Sequence, residues 1–119
     1  KKSHKTEIVK EINAYLAREY VDSGLNRHRV ASAFNMSEGY FSSFFKEQTG
    51  TSFTECLEEL RLRHAIDMLS VNGQTIASIA KSVGYASEKA FSRAFKRAYG
   101  VNPSRYRGTN PSRIDRIEK

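Results

Sequence analysis

One fourteen-residue segment occurs twice in this chain, fifty residues apart. Residues 37–50 align without a gap over residues 87–100, and seven of the fourteen positions carry the same residue. Both copies begin with Ser-Glu, carry two phenylalanines four residues apart and end at a glycine. Upstream, residues 30–31 match residues 79–80 if the second copy has one extra residue in its turn. Two copies are too few for a self-supporting array of repeats, so we expect one kind of structural unit that occurs twice.

Apolar residues recur at helical rather than strand intervals over most of the chain. Ser37 and Ser87 precede the two phenylalanine stripes, where they suit helix N-caps. Gly50 and Gly100 suit the ends of the same helices, and Pro103 suits the first turn of a last short helix. The pattern predicts an all-α fold with about seven helices.

Each copy is predicted to contain a short helix, a tight turn and a longer capped helix, which is the pattern of a helix-turn-helix. The first helix must cross the second closely, which suits the small residues Ala31 and Ala80. The turn suits Asn35 and Gly84, because both tolerate unusual backbone angles. The second helix buries its phenylalanines and leaves the opposite flank free to enter a DNA major groove. That flank comprises Glu38, Gly39, Ser42, Ser43 and Lys46 in the first copy and Glu88, Lys89, Ser92, Arg93 and Lys96 in the second.

The predicted organisation has four segments. Residues 1–50 form a first helix-turn-helix subdomain with an N-terminal helix, residues 51–72 a linker helix, residues 73–108 a second subdomain, and residues 109–119 a flexible tail. Within the linker, residues 53–70 would be roughly 27 Å long as a helix at about 1.5 Å per residue. That length is compatible with two recognition helices in successive major-groove segments, which lie about 34 Å apart.

The charge of the chain favours a polyanionic partner. Its 119 residues carry 20 Lys and Arg against 13 Asp and Glu, a net charge of +7. Nucleic acid is the first candidate for such a partner and an anionic membrane surface the second. Between Lys89 and Arg107 there are six basic residues and no acidic one. We therefore expect the second subdomain to contribute more phosphate affinity than the first.

Other classes of function find little support in the residues. Cys56 is the single cysteine, which excludes an internal disulfide framework and a cysteine-based zinc site. His4, His28 and His64 have no metal-ligand spacing, and no glycine-rich phosphate loop or nucleophile–base pattern is present. No apolar run approaches the roughly 20 residues of a membrane span. We expect no enzyme activity, no metal and no cofactor.

A set of short motifs lies at fixed places in the two halves of the chain. They are Val30-Ala31, Asn35-Met36-Ser37, Tyr40-Phe41-Ser42, Phe45-Lys46, Thr49-Gly50, Arg61-Leu62, Ile79-Ala80, Val83-Gly84-Tyr85, Phe91-Ser92-Arg93, Phe95-Lys96, Pro103-Ser104 and Tyr106-Arg107. Over about residues 8–107 this pattern resembles the DNA-binding domain of the AraC/XylS family of bacterial transcription regulators. The resemblance implies seven helices, two helix-turn-helix subdomains joined by a long helix, and sequence-specific binding of double-stranded promoter DNA by the C-terminal domain of a regulator.

The resemblance also implies which residues meet DNA. The recognition helices would be residues 37–48 and 87–98, lying in adjacent major-groove segments. The first of them departs from the family at Gly39, which offers no side chain at a base-reading position. Base-reading residues would be Gly39, Ser42, Ser43, Glu88, Lys89, Ser92 and Arg93, and phosphate contacts would come from Ser37, Lys46, Ser87, Lys96, Arg97 and Arg107.

The partners beyond DNA follow from the same resemblance. The chain starts with Lys rather than Met, so we expect it to be a piece of a longer cytoplasmic protein with an N-terminal sensor or dimerisation domain. RNA polymerase is a further expected partner of the chain. An alternative is a protein-interaction module that docks such a partner through the first helix and the acidic residues 55–59. A membrane-surface function is less favoured, because the basic residues lie opposite a stripe that the core needs.

Overall fold

The computed structural model describes residues 4–71 and 73–108 of the chain. Within these residues it contains seven helices and no strand, which confirms the all-α prediction. The predicted tail at residues 109–119 lies outside the described residues. The helices are α1 (His4–Glu19), α2 (Arg27–Ala33), α3 (Glu38–Thr49), α4 (Phe53–Leu69), α5 (Ile76–Ser82), α6 (Glu88–Tyr99) and α7 (Pro103–Gly108).

The chain divides into two compact units, and the division falls within α4. The first unit comprises residues 1–60 and the second residues 61–119. The segment predicted as a linker therefore contributes to both units. Phe53 and Leu57, near the start of α4, are buried in the core of the first unit.

The first unit has an aromatic core to which all of its helices contribute. Phe41 and Phe45 of α3 are fully buried, and the ring of Phe53 lies 5.5 Å from the first and 6.1 Å from the second, both edge-on. Such edge-to-face pairs add to the hydrophobic stabilisation that burial itself provides. The stripe of α1 (Ile12, Leu16) and the crossing pair of α2 (Val30, Ala31) complete this core.

The second unit repeats this arrangement with different partners. Phe91 and Phe95 of α6 are fully buried, with ring centroids 5.8 Å apart. Tyr85 lies 5.5 Å from the first ring and Tyr106 of α7 lies 5.4 Å from the second. The four phenylalanines predicted as core are therefore confirmed in both units. Other buried residues here are Leu62, Ala65, Leu69, Ile79, Ala80, Val83 and Pro103.

In both units the turn between the short and the long helix needs a residue with positive φ. Asn35 has φ 59° and Gly84 has φ 101°, as their residue types predicted. The backbone N–H of the following residue bonds the carbonyl five positions earlier, at 2.9 Å in both units. The two turns therefore match up to Met36 in the first copy and Tyr85 in the second. In the first copy the capping serine follows at once, whereas in the second Ala86 is inserted before it, so Ala86 is the extra residue.

The long helices begin and end as their sequence predicted. The Ser37 Oγ accepts a hydrogen bond from the Tyr40 N–H, and the Ser87 Oγ accepts one from the Ala90 N–H. Each bond satisfies one of the donors that a helix start leaves without a partner. Both helices end at glycines in the left-handed region, with φ 81° and 83°. α3 and α6 are therefore fixed at both ends.

Candidate nucleic-acid interface

The duplicated segment forms the same surface twice. At each of the fourteen aligned positions, residues 37–50 and 87–100 are alike in being buried, half-buried or exposed. The phenylalanines point into each core, the second serine of each copy is half-buried, and the remaining positions that the core does not use are exposed. Packing therefore leaves equivalent flanks of α3 and α6 facing solvent.

The predicted base-reading residues of the first unit lie together on one flank of α3. Gly39 and Ser43 are exposed, and Ser42 is half-buried. Spacings of three and four residues keep this set on one side of the helix. A Cβ added at Gly39 would meet no other described atom within 4 Å, so the helix surface is open there. Between Glu38 and Lys46, which lie toward the two ends of the flank, these three residues contribute only two hydroxyl groups.

The equivalent flank of α6 carries strong positive charge. Ser92 is half-buried, like its counterpart in α3, and the predicted base-reading and phosphate-binding cations around it are exposed. These cations are Lys89, Arg93, Lys96 and Arg97. In the described part of the chain, no ion pair involves the first three of them. The one acid of the helix, Glu88, is in the first turn, where the helix dipole favours it.

Arg27 adds a cation to the first unit that the sequence analysis missed. It begins α2, and its guanidinium reaches across to α3. Nη1 donates to the Ser42 Oγ at 3.4 Å, and Nε lies 3.8 Å from a carboxylate oxygen of Glu38. The residue at the equivalent position of the second copy is Ile76. Since Arg27 precedes the aligned motif, only the packing of α2 on α3 reveals that it borders the flank predicted to read bases.

Arg29, two residues further along α2, points the other way. Its Nη2 lies 2.8 Å from an oxygen of Asp22 and 3.3 Å from an oxygen of Glu19 at the end of α1. The hydrogen bond to the Asp22 carboxylate raises the pKa of Arg29 above its ordinary value. This arginine therefore ties the α1–α2 turn to α2.

The two capping serines, predicted as phosphate contacts, are exposed at the starts of α3 and α6. Each hydroxyl oxygen already accepts a backbone hydrogen bond, as described above. A hydroxyl group also has a hydrogen of its own to donate. Capping and a hydrogen bond to a phosphate oxygen are therefore compatible at Ser37 and Ser87.

Arg107 lies differently from the other predicted phosphate contacts. Its guanidinium is turned into the second unit, where Nε donates to the Leu69 carbonyl at 3.1 Å and Nη1 to the Gln74 carbonyl at 2.5 Å. Its Nη2 is buried, with no hydrogen-bond partner among the described residues. The last carbonyls of a helix lack partners within the helix, and this arginine satisfies one at the end of α4. The phosphate contact predicted for Arg107 does not fit this placement.

Tyr40 of α3 is a second exposed residue, after Arg27, that the sequence did not assign to the site. It is 57% exposed and stacks on Phe44, with ring centroids 5.9 Å apart. The aligned residue of α6 is Ala90. The first unit thus has an exposed aromatic ring at a position where the second unit has only a methyl group.

Two other kinds of site are absent from the described residues. In residues 4–71 and 73–108, no helix is both long and apolar enough to cross a membrane. Over the same residues, no group of three His, Cys, Asp or Glu side chains is placed to hold a metal ion. Cys56 is half-buried against the core of the first unit.

A short helix packed across a longer one with an exposed flank, present twice, defines a helix-turn-helix DNA-binding protein. Residues 30–109 match the family described as helix-turn-helix domain. The C-terminal domain of AraT, a response regulator from Geobacillus stearothermophilus, is 35% identical, with a TM-score of 0.85 over 91% of this chain and 89% of that one. The chain belongs to the AraC-type helix-turn-helix family, whose members are DNA-binding domains of transcription regulators.

Two further comparisons are informative. The RCS-specific transcriptional activator RclR of Escherichia coli is 41% identical over 78 residues, which are 66% of this chain and 28% of that protein. The DNA-binding domain of the global transcriptional factor AdpA, solved in complex with a target DNA, is 23% identical with a TM-score of 0.81, over 88% of this chain and 94% of that one. The likeness to the AdpA domain shows that the two chains share a fold. The chain spans about a third of the length of the curated relatives it matches.

Proposed function

We propose that this domain reads promoter DNA sequence-specifically, with α3 and α6 in adjacent major-groove segments. The observation that carries the proposal is the matched burial of residues 37–50 and 87–100, which leaves the same flank exposed on both helices. One such flank is the part that a recognition helix presents to base edges. Two of them on one chain can read two parts of a single site.

In the proposed interface, α6 contributes most of the sequence preference. Arg93 is exposed near the middle of the flank, and an arginine there can donate two hydrogen bonds to the O6 and N7 of a guanine. Lys89 and Glu88 lie closer to the helix start, the part of a recognition helix that contacts bases. Gly39, Ser42 and Ser43 give α3 smaller groups, which allow a close approach but fewer base-specific hydrogen bonds.

The proposed phosphate contacts flank these residues. They fix the position of the protein on the duplex and contribute affinity that falls with salt. Lys46, Lys96 and Arg97 are exposed toward the ends of the two helices, and Ser37 and Ser87 are at their starts. Arg107 is left out of this set because backbone carbonyls of the second unit already bind its guanidinium.

We further propose that the domain acts as part of a longer cytoplasmic regulator with a sensor or dimerisation domain on its N-terminal side. One similar protein is a response regulator, another a transcriptional activator and a third an operon regulatory protein. This chain covers only about a third of the length of the curated relatives. RNA polymerase is the second proposed protein partner. The proposed function is binding alone, with no reaction, cofactor or membrane contact assigned to the chain.

Selection of binding sites from a pool of random duplexes tests the proposal. We expect one enriched site with two groups of preferred base pairs, about 10 base pairs apart from centre to centre. The group read by α6 should be the more strongly conserved among the selected duplexes, and Arg93→Ala should weaken it specifically. Equal binding of the parent chain to selected and scrambled duplexes would show that the domain does not read sequence.

A further inference from the structure

Arg27 is a cation that reaches the base-reading flank of the first unit from a neighbouring helix. It begins α2, but its contacts are on α3, with the Ser42 hydroxyl at 3.4 Å and the Glu38 carboxylate at 3.8 Å. The side chain stays 51% exposed and that of Glu38 47% exposed. The guanidinium therefore lies at the edge of the flank, accessible to a ligand that approaches α3.

The second unit shows what is particular about this residue. There the flank has its own cations, Lys89 and Arg93, where the first has Gly39 and Ser43. The position aligned with Arg27 is occupied by Ile76, which has no charge. At these two positions α3 has no cation, and the first unit instead has Arg27 of α2, in addition to Lys46 in the last turn of α3.

The contacts of Arg27 are weak enough to be exchanged. Ion pairs between exposed side chains contribute about 0–1 kcal/mol. A hydrogen bond at 3.4 Å is also long for N–H···O, whose usual limit is about 3.2 Å. A phosphate group offers charge and two oxygens in a geometry that matches the planar guanidinium. A DNA backbone beside α3 can therefore take Arg27 from Glu38 at little cost.

The position of Arg27 favours a phosphate rather than a base as its ligand. In a helix-turn-helix the first helix crosses the DNA backbone, while the second enters the groove. Arg27 is on this first helix. The neighbouring Arg29 does not compete for this function, because Asp22 and Glu19 bind its guanidinium.

We infer that Arg27 is a phosphate-binding residue of the first unit: its guanidinium pairs with Glu38 in the free protein and with a backbone phosphate of the duplex in the complex. The inference rests on the proposed function and adds to it a residue outside the two recognition helices. It also gives Ser42 a defined state in the free protein, with its oxygen accepting from Arg27 and its hydrogen available to donate.

The test compares Arg27→Ala with Arg18→Ala on the selected duplex and on a scrambled duplex of equal length. Arg18 is 64% exposed on α1 of the same unit and pairs with Glu19 at 3.4 Å, so the control removes the same charge elsewhere. We expect Arg27→Ala to raise Kd about ten- to a hundredfold on both duplexes, because one charged hydrogen bond is lost. The slope of log K against log salt should fall by about 0.9, the value for one phosphate contact.

Two more variants separate the phosphate contact from a role in folding. Arg27→Lys keeps the charge and should keep the salt slope of the parent chain. The midpoint of thermal unfolding should be unchanged in both Arg27→Ala and Arg27→Lys. Glu38→Gln removes the competing carboxylate and should tighten binding of the parent but not of the Arg27→Ala chain. Equal tightening in both backgrounds would show that Glu38 repels DNA directly and does not act through Arg27.

The outcomes distinguish this inference from the proposed function. A salt slope for Arg27→Ala equal to that of Arg18→Ala would overturn the phosphate contact. A loss confined to one base pair of the selected site would overturn it in favour of base reading by Arg27. If the parent chain binds selected and scrambled duplexes alike, the proposed function fails, whatever Arg27 does.

Discussion

The two copies of the helix-turn-helix share their packing and differ in their charge. Fourteen aligned positions have the same burial in α3 and α6, yet the exposed flank of α6 has cations where α3 has a glycine and a serine. Core positions are constrained because any change of volume is felt throughout a close-packed interior. Flank positions have no such constraint. The two copies therefore share a scaffold, whereas their exposed flanks differ in charge.

The copies also differ in the helix that supports each long helix. In the first unit α1 packs against α3, and in the second α7 packs against α6. An arginine ties each arrangement together: Arg29 through the carboxylates of Glu19 and Asp22, and Arg107 through the carbonyls of Leu69 and Gln74. Some of the basic residues thus stabilise the fold, so not every basic residue of the chain is available to DNA.

If the scaffolds are equivalent, the matched core substitutions Phe45→Ala and Phe95→Ala should lower the free energy of unfolding by the same amount. Both rings are fully buried. Removing a buried phenylalanine costs about 3–5 kcal/mol of the free energy of unfolding. Urea unfolding followed by far-ultraviolet circular dichroism measures both losses. A cost below about 1 kcal/mol for either variant would break the equivalence of the two cores.

Arg107→Ala should destabilise the second unit without changing how binding depends on salt. Hydrogen bonds to charged groups contribute about 1.5–3 kcal/mol, and the variant leaves two carbonyls without their donor. Arg105→Ala is the matched control, because this arginine is exposed on the same helix. Unchanged stability together with a shallower salt slope would instead assign Arg107 to a DNA phosphate.

Arg93→Ala and Ser43→Ala change aligned positions of the two flanks and should have unequal effects on binding. Losing an arginine that pairs with a guanine costs about 1–3 kcal/mol and relaxes the preference at one base pair. The serine variant should cost less than about 1 kcal/mol, since a single neutral hydrogen bond is lost. Kd values on the selected duplex and on its single-base variants measure both effects. Equal losses would show that the first unit reads sequence as strongly as the second.

Lys46→Ala and Lys96→Ala should have the smallest effects on binding among these variants. Each removes a lysine at the same aligned position, and each should lower the salt slope by about 0.9 and weaken all duplexes alike. The loss of affinity should be larger for Lys96, whose neighbour is Arg97, than for Lys46, whose neighbour is Glu47. Titrations at several salt concentrations give both quantities. A base-dependent loss for either variant would contradict a phosphate contact.

Much of the fold could be predicted because it depends on local chemistry. Capping at Ser37 and Ser87 and the left-handed glycines that end α3 and α6 involve residues no more than four apart in sequence. The burial of the phenylalanines follows from helical periodicity. For the same reason the exposure of the base-reading flank could be predicted from sequence.

The rest of the site depends on where side chains of different helices turn. Arg27 is fifteen residues from Ser42 and Arg107 is thirty-eight from Leu69, so neither contact leaves a periodic pattern. Both arginines are basic residues near a helix terminus, which sequence alone assigns to solvent or phosphate. Only the packing of α2 on α3, and of α7 within the second unit, separates one role from the other.

Methylation protection of guanine N7 on the selected duplex tests the central claim most directly, because this atom lies in the major groove. The two exposed flanks predict protected guanines in two major-groove segments about 10 base pairs apart. Arg93→Ala should remove protection in one segment and leave the other intact. Protection in a single segment of the parent complex, or none in the major groove, would contradict the claim that both copies enter it.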